Sequence, residues 1–295
     1  MVCYPPPLPP GSLCFFAAYT PGGALPDYTK FYLRNLLECG LTLHVCFSGT
    51  EHITADSLTF CTENRIQTYT RPNKGLDFGA WCYLRNHIPT HNVPFIVLAN
   101  DSVFGPFAPL LPLLQKFKAS QKPAWGLVAS RAVTPHLQSW FVGLSQQAWQ
   151  APAVKRIFHL PFENMSRSEI IWHGELGLSV ALTDSGFTPD ALWSDLRAPL
   201  ARFFPANPAH ARWRSFLRTG LVPFIKQELL RDNPYHIPAL SDWRREILPG
   251  NGFNPAWIDA YLAGPPPRTT RTRSNRKGRL LYTMLSEADR YRPRF

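Results

Sequence analysis

Three short apolar runs constrain this chain most: SLCFFAAYT (12–20), LTLHVCFSG (41–49) and PFIVLAN (94–100). Each is too short for a core helix and each stops at glycine, proline or a polar residue, so each reads as a buried strand. NRIQTYTRP (64–72) looks like another strand, and PDYTKFYLRNLLECG (26–40) and DFGAWCYLRNHI (77–88) suit helices. In the first of these, Phe31, Leu33, Leu36 and Leu37 fall near helical spacing and Gly40 supplies the stop. The order strand, helix, strand, strand, helix, strand indicates an α/β sheet with a parallel core. Open sheets of that kind take ligands beyond the carboxyl ends of their strands. Two polar stretches fall there, RPNKGLDFGAW (71–81) and LANDSVFGP (98–106), and they read as loops at a ligand-binding edge.

Downstream, PLLPLLQKFK (109–118) reads as a short helix, and AWGLVAS (124–130) and SWFVGLS (139–145) as strands flanking PHLQ. QQAWQAPAVKRIFHLP (146–161) is helical or irregular. SRSEIIWHGELGLSVALTDSG (166–186) opens on a capping box, Ser166 with Glu169, and closes on Gly186. From about 200 to 262 the text is helical and aromatic-rich, VPFIKQELLRDNP included. With 295 residues and 45% hydrophobic content, one large domain or two smaller ones fit. Thirty prolines argue against long coiled coils. No apolar run approaches the ~18 residues of a membrane span, and the prolines of MVCYPPPLPP interrupt any signal-peptide core. All six cysteines lie at or before Cys82 without metal-ligand spacing, as expected of reduced thiols in a cytosolic protein.

The site candidates follow from these loops. Gly75 and Gly79 permit close backbone approach, while Asn73 and Asp77 offer acceptors to a polar ligand; alternatively Asp77 is the N-cap of the following helix. Arg71 and Trp81, at the ends of the same stretch, are candidates for phosphate neutralisation and for sugar or acceptor contact. The stretch is not a phosphate loop, since it lacks GxxxxGK[ST]. Asp101, flanked by Asn100 and Ser102, groups hard oxygen donors suited to Mg²⁺ or Mn²⁺ on a diphosphate, or else forms an Asx-turn. Glu175, on a helix with mostly apolar neighbours, is a candidate general base or a plain surface glutamate. His136 and Gln138 precede a strand and are candidate acceptor or sugar contacts. Lys226 and Arg231 could neutralise phosphate or lie on a solvated face.

Five stretches in this order, RPNKGLDFGAW, LANDSVFGP, HLQSWF, HGELGLSVALTDSG and VPFIKQELLRDNP, resemble the rhamnan synthesis protein F family. The likeness spans about 13–262. The family is bacterial, polysaccharide-associated and glycosyltransferase-like. The resemblance implies a GT-A-like fold: a mixed, mainly parallel sheet flanked by helices, here with a helical C-terminal extension and a basic tail. It divides the chain into a proline-rich leader (1–10), a glycosyltransferase-like domain (11–264) and the tail (265–295). It implies transfer of a sugar, plausibly L-rhamnose, with inversion, from a nucleotide-sugar donor to a glycan or lipid-linked acceptor. Glu175 then corresponds to the base, NDS stands where Asp-x-Asp usually sits with a divalent metal on Asp101, and NKGLDFG lies near the nucleotide.

A second reading keeps the fold and drops the chemistry, leaving a binding protein for nucleotide sugars or glycans. A third looks to the tail, which carries nine basic residues against two acids, a net +7 of the chain's +11. It lacks the interleaved aromatics of a single-strand groove and any DNA-reading motif, so nucleic acid is disfavoured. With Leu280, Leu281, Met284 and Leu285 at helical spacing, the tail suits peripheral contact with an anionic membrane. A cytoplasmic protein acting at the inner face of the cytoplasmic membrane is the resulting expectation.

Overall fold

The computed structural model describes residues 8–196, 203, 206–247, 252–264 and 276–290. The four expected strands are present as β1 (Leu13–Tyr19), β2 (Thr42–Ser48), β3 (Gln67–Arg71) and β4 (Phe95–Asn100). They lie parallel in the order β3-β2-β1-β4. Helices α1 (Asp27–Glu38), α2 (Ala55–Glu63) and α3 (Leu76–His87) make the crossovers. The sequence reading ran β2 straight into β3, but a parallel pair needs a crossover element, and α2 is that element. It was illegible because only Ser57, Phe60 and Cys61 of it are buried.

The second half continues with β5 (Val103–Phe104), α4 (Leu111–Ser120), β6 (Ala124–Ser130), β7 (His136–Leu137) and β8 (Phe141–Ser145). Then come α5 (Gln146–Gln150), α6 (Pro152–Ile157), α7 (Arg167–Ile170), a π-helical segment (Ile171–Leu176), α8 (Gly177–Asp184) and β9 (Asp190–Ser194). β8 runs antiparallel between β4 and β6, β7 pairs antiparallel with β6, and β9 pairs parallel with β6. The result is a mixed and mainly parallel eight-stranded sheet flanked by helices, the architecture that the family resemblance implied. The capping box holds: Ser166 Oγ accepts from Glu169 N at 3.3 Å, and Glu169 Oε2 accepts from Ser166 N at 2.7 Å.

Strand pleating sorts the core into two faces. Cys14, Phe16 and Ala18 of β1, with Val97 and Ala99 of β4, pack under α1 and α4. Their alternates, Phe15, Ala17, Ile96 and Leu98, pack under Phe78, Trp81 and Leu84 of α3, Trp149 of α5 and Leu182 of α8. Burial of each such large side chain contributes about 1.5–3 kcal/mol. The five described cysteines, Cys14, Cys39, Cys46, Cys61 and Cys82, are free thiols.

The C-terminal part consists of α9 (Pro208–Ala211), α10 (Trp213–Thr219), β10 (Ile225–Lys226), α11 (Gln227–Asp232), α12 (Trp243–Glu246), α13 (Ala256–Leu262) and α14 (Arg276–Arg290). VPFIKQELLRDNP is therefore not one helix. Pro223 has no N–H to give, and Ile225 and Lys226 instead pair antiparallel with Phe104 and Val103 of β5. Arg231 chelates Asp232 and donates to Tyr261 OH at 2.7 Å, so it is spent on local structure. Within the tail, 276–290 is not solvated chain. It forms α14, which buries Tyr282, Ser286 and Asp289 against α9 and α10. Residues 265–275 and 291–295 of the tail and 1–7 of the leader lie outside the described residues. No described helix is long and apolar enough to cross a membrane.

Candidate functional site

The chain leaves β1 toward β2 and β3 on one side and returns as β4 on the other, so the carboxyl ends of β1 and β4 flank a topological switch point. Pleating decides what points where. Asn100 has the parity of Ile96 and Leu98 and meets the α3 face, where its Nδ2 donates to Asp77 Oδ2 at 2.6 Å. Asn100 Oδ1 accepts from Ser102 N at 3.1 Å and from Ser102 Oγ at 2.6 Å. Ser102 Oγ in turn accepts from Lys226 Nζ at 3.0 Å. Lys226 arrives there because β10 pairs with β5, and Gln227 N donating to Ser102 O at 3.0 Å fixes the junction. Burial pushes the Asp77 carboxyl up to about 6, opposed by the Lys226 charge and the Asn100 hydrogen bond, with Glu175 adding to the rise. Burial likewise pulls Lys226 down, against the Glu175, Asp77 and Glu228 carboxylates that hold it charged.

Glu175 comes from the opposite wall, in the π-helical segment between α7 and α8. Such segments recur at functional sites because the widened turn re-aims a side chain. The sequence reading set Glu175 in apolar surroundings; the structure sets it among polar groups. Its Oε2 accepts from Ser139 N at 2.8 Å and Ser139 Oγ at 2.6 Å, while Oε1 lies 3.6 Å from His136 Nε2. His136 Nδ1 lies 2.7 Å from Thr134 O, so Nδ1 carries a proton and Nε2 faces the glutamate. Glu175, His136, Asp77, Asn100, Ser102 and Lys226 thus belong to one polar cluster.

Other candidates lie elsewhere. Asp101 has the opposite parity to Asn100, and its Oδ2 accepts from Tyr19 N at 2.8 Å at the end of β1. Trp81 is fully buried, with its indole N–H directed at Phe15 O and Ala99 O, so it is core and out of reach of a sugar. Gln138 is also buried; it donates to Asn207 Oδ1 at 2.8 Å and accepts from Trp140 Nε1 at 3.0 Å, tying the sheet to the C-terminal part. Gly75, not Asp77, is the N-cap of α3, at φ 74°, and a Cβ there would press on the Phe162 backbone. A Cβ on Gly79 would lie 2.2 Å from Lys74 O, so this glycine lets the 72–75 loop fold over α3. Arg71 Nη2 donates to Lys74 O of that loop. Asn73 is exposed, beside Gly49.

Several contributors escaped the sequence reading. Ser139 anchors Glu175; Arg167, 69% exposed at its side chain, lies 4.0 Å from Glu228. His210 is buried with no hydrogen bond at either ring nitrogen, 3.7 Å from Glu228, and burial drops it to about 3. Only the position of Ser139 inside HLQSWF hinted at its role. Among the described residues no three His, Cys, Asp or Glu side chains form a metal cluster. The Asn100 and Ser102 oxygens are engaged by their neighbours and Asp101 Oδ2 by Tyr19 N, so NDS does not converge as a donor set. Two concavities, of about 320 and 230 Å³, lie beside Phe117 and Trp125 and beside Lys30 and Asp56, and none of their lining residues belongs to this cluster.

Residues 44–240 match the family profile described as Rhamnan synthesis protein F. The Virulence protein VirA of Vibrio anguillarum is 26% identical over 214 residues, 62% of this chain and 68% of that protein. Among solved structures, a protein from Desulfovibrio desulfuricans G20 assigned as a nucleotide-diphospho-sugar transferase shares 13% identity at a TM-score of 0.37, over 72% of this chain and 97% of that one. The inositol-1-phosphate CTP transferase of T. maritima shares 10% identity at a TM-score of 0.39, over 65% and 91% of the two chains.

Proposed function

The chain belongs to the rhamnan synthesis protein F family, and on that premise we propose that it is a glycosyltransferase using a nucleotide-sugar donor. The observation that carries this is the meeting of a carboxylate held by two hydrogen bonds, Glu175, with a lysine-centred polar cluster at the strand ends. In the proposed reaction an acceptor hydroxyl gives its proton to Glu175 Oε1, while Ser139 holds Oε2. The hydroxyl oxygen bonds to the anomeric carbon, and the bond from that carbon to the diphosphate breaks, its electron pair leaving on phosphate oxygen. Attack from the face opposite the leaving group inverts the centre, and nearby cations stabilise the departing charge. L-rhamnose from dTDP-rhamnose is the proposed donor sugar and a growing glycan at the inner face of the cytoplasmic membrane the proposed acceptor.

The test is transfer and donor hydrolysis by the purified protein over a panel of nucleotide sugars that includes dTDP-rhamnose, repeated with E175Q. The amide keeps the shape and cannot take the proton, so turnover should fall by on the order of 10²–10⁴-fold with donor affinity kept. Unchanged turnover in E175Q moves the base elsewhere. Donor binding without turnover in the wild type makes the protein a nucleotide-sugar binder instead.

A further inference from the structure

The geometry points to Lys226, seated on Ser102, as the group that holds the donor's diphosphate with Arg167, in the place where this fold type implies a divalent cation. The inference rests on the glycosyltransferase reading above. An ammonium is a compact cation with three N–H donors. One donor of Lys226 goes to Ser102 Oγ, and no other hydrogen bond of the ammonium forms among the described residues. Its place is fixed from several sides: β10 pairs with β5, the Trp140 ring lies under the ammonium at 5.4 Å, and Ser102 belongs to the stretch that follows β4. The oxygens that would ligate a cation are otherwise engaged. Asn100 Oδ1 accepts twice from Ser102, Ser102 Oγ accepts from the ammonium, and the Asp101 carboxylate is turned to Tyr19.

Arg167 supplies the second charge. It opens α7, its side chain is 69% exposed, and its Nη2 lies 4.0 Å from Oε1 of Glu228, two residues past Lys226. A planar guanidinium beside a point-like ammonium suits a diphosphate, with bidentate contact from one and a single strong contact from the other.

The experiment is calorimetric titration of the full chain with dTDP and UDP in EDTA, then with Mg²⁺ or Mn²⁺. Nucleoside diphosphate should bind in EDTA with an affinity that added metal changes little. K226M and R167M should each weaken dTDP by about 10- to 100-fold, and dTMP by less. Because Lys226 is packed among its neighbours, K226M is accepted only if its melting curve is cooperative; exposed Arg167 carries the test independently. Binding that requires added metal, or full affinity in R167M or in a folded K226M, overturns this assignment and leaves the transferase reading standing. No nucleotide binding under any condition overturns both.

Discussion

Gly174 lies so close to the ring of Phe78 that a Cβ built on it would sit 2.7 Å from Phe78 Cδ2. That contact sets the π-helical segment carrying Glu175 directly against α3, which carries Asp77. The ring cannot give way easily, because it packs against Trp81, Phe158 and Phe162. Glycine at 174 is therefore a spacing device between the two acidic walls of the site.

G174A should force the segment outward. Overpacking of this kind costs about 1–3 kcal/mol, readable as a lower denaturation midpoint in urea. Glu175 would move with the backbone, so turnover should fall more than donor affinity. A variant as stable and as active as the wild type would show that the two walls are not held by this contact.

The pH dependence of stability contains two opposed contributions. Asp77 titrates at about 6 in the folded protein, raised from 3.8, so unfolding releases its proton in that window and stability falls as pH rises. His210 is lowered from 6.5 to about 3, so unfolding takes up a proton there and stability rises with pH. Each slope is about 1.4 kcal/mol per pH unit, and between roughly pH 4 and 6 they cancel. D77N should therefore make stability climb with pH relative to wild type across this window, and H210Q should make it decline. Denaturant melts at pH 4.5 and 5.5 check both, and parallel curves for all three proteins would refute the assignments.

The sheet was readable because β1, β2 and β4 are buried on both faces and so appear as unbroken apolar runs. At the end of β4 neighbouring side chains diverge, Asn100 turning to Asp77 while Asp101 Oδ2 accepts from Tyr19 N, a split that the motif NDS does not display. Trp81 misled because it closes a polar, glycine-bearing stretch two residues after Gly79, although its indole N–H finds two backbone carbonyls inside. The widened turn at Glu175 has no sequence signature, since a shift of hydrogen-bond register needs no particular residue. Lys226 was found as a charge, but its arrival at Ser102 depends on a two-residue strand that no periodicity can reveal.

The basic C-terminal segment separates a structural face from an exposed one. Inward, Arg212 Nη1 bonds Asp289 Oδ1 at 2.9 Å, Arg214 Nη1 bonds Ser286 Oγ at 3.2 Å, and Arg218 Nη1 bonds Asp289 O at 2.9 Å. Arg214 is 1% exposed and Asp289 fully buried, so removing α14 would take hydrogen-bond partners from Arg212, Arg214 and Arg218 and uncover the surface beneath Tyr282, destabilising the fold. Truncation thus tests stability before it tests anything about membranes. Outward, Leu280 and Met284 are each 62% exposed beside the exposed Arg276, Lys277 and Arg279, the pattern of a helix that lies on an anionic surface. Each basic residue near such a surface contributes roughly 1 kcal/mol, so R276E/K277E/R279E should lose on the order of 100-fold in partition onto anionic vesicles at low salt. Its melting midpoint and its transfer to a soluble acceptor should match the wild type, because all three residues are exposed. At about 1 M salt, where the screening length shrinks to about 3 Å, the difference should vanish. Equal sedimentation of the triple variant and the wild type at low salt would show that this face of α14 does not meet the membrane.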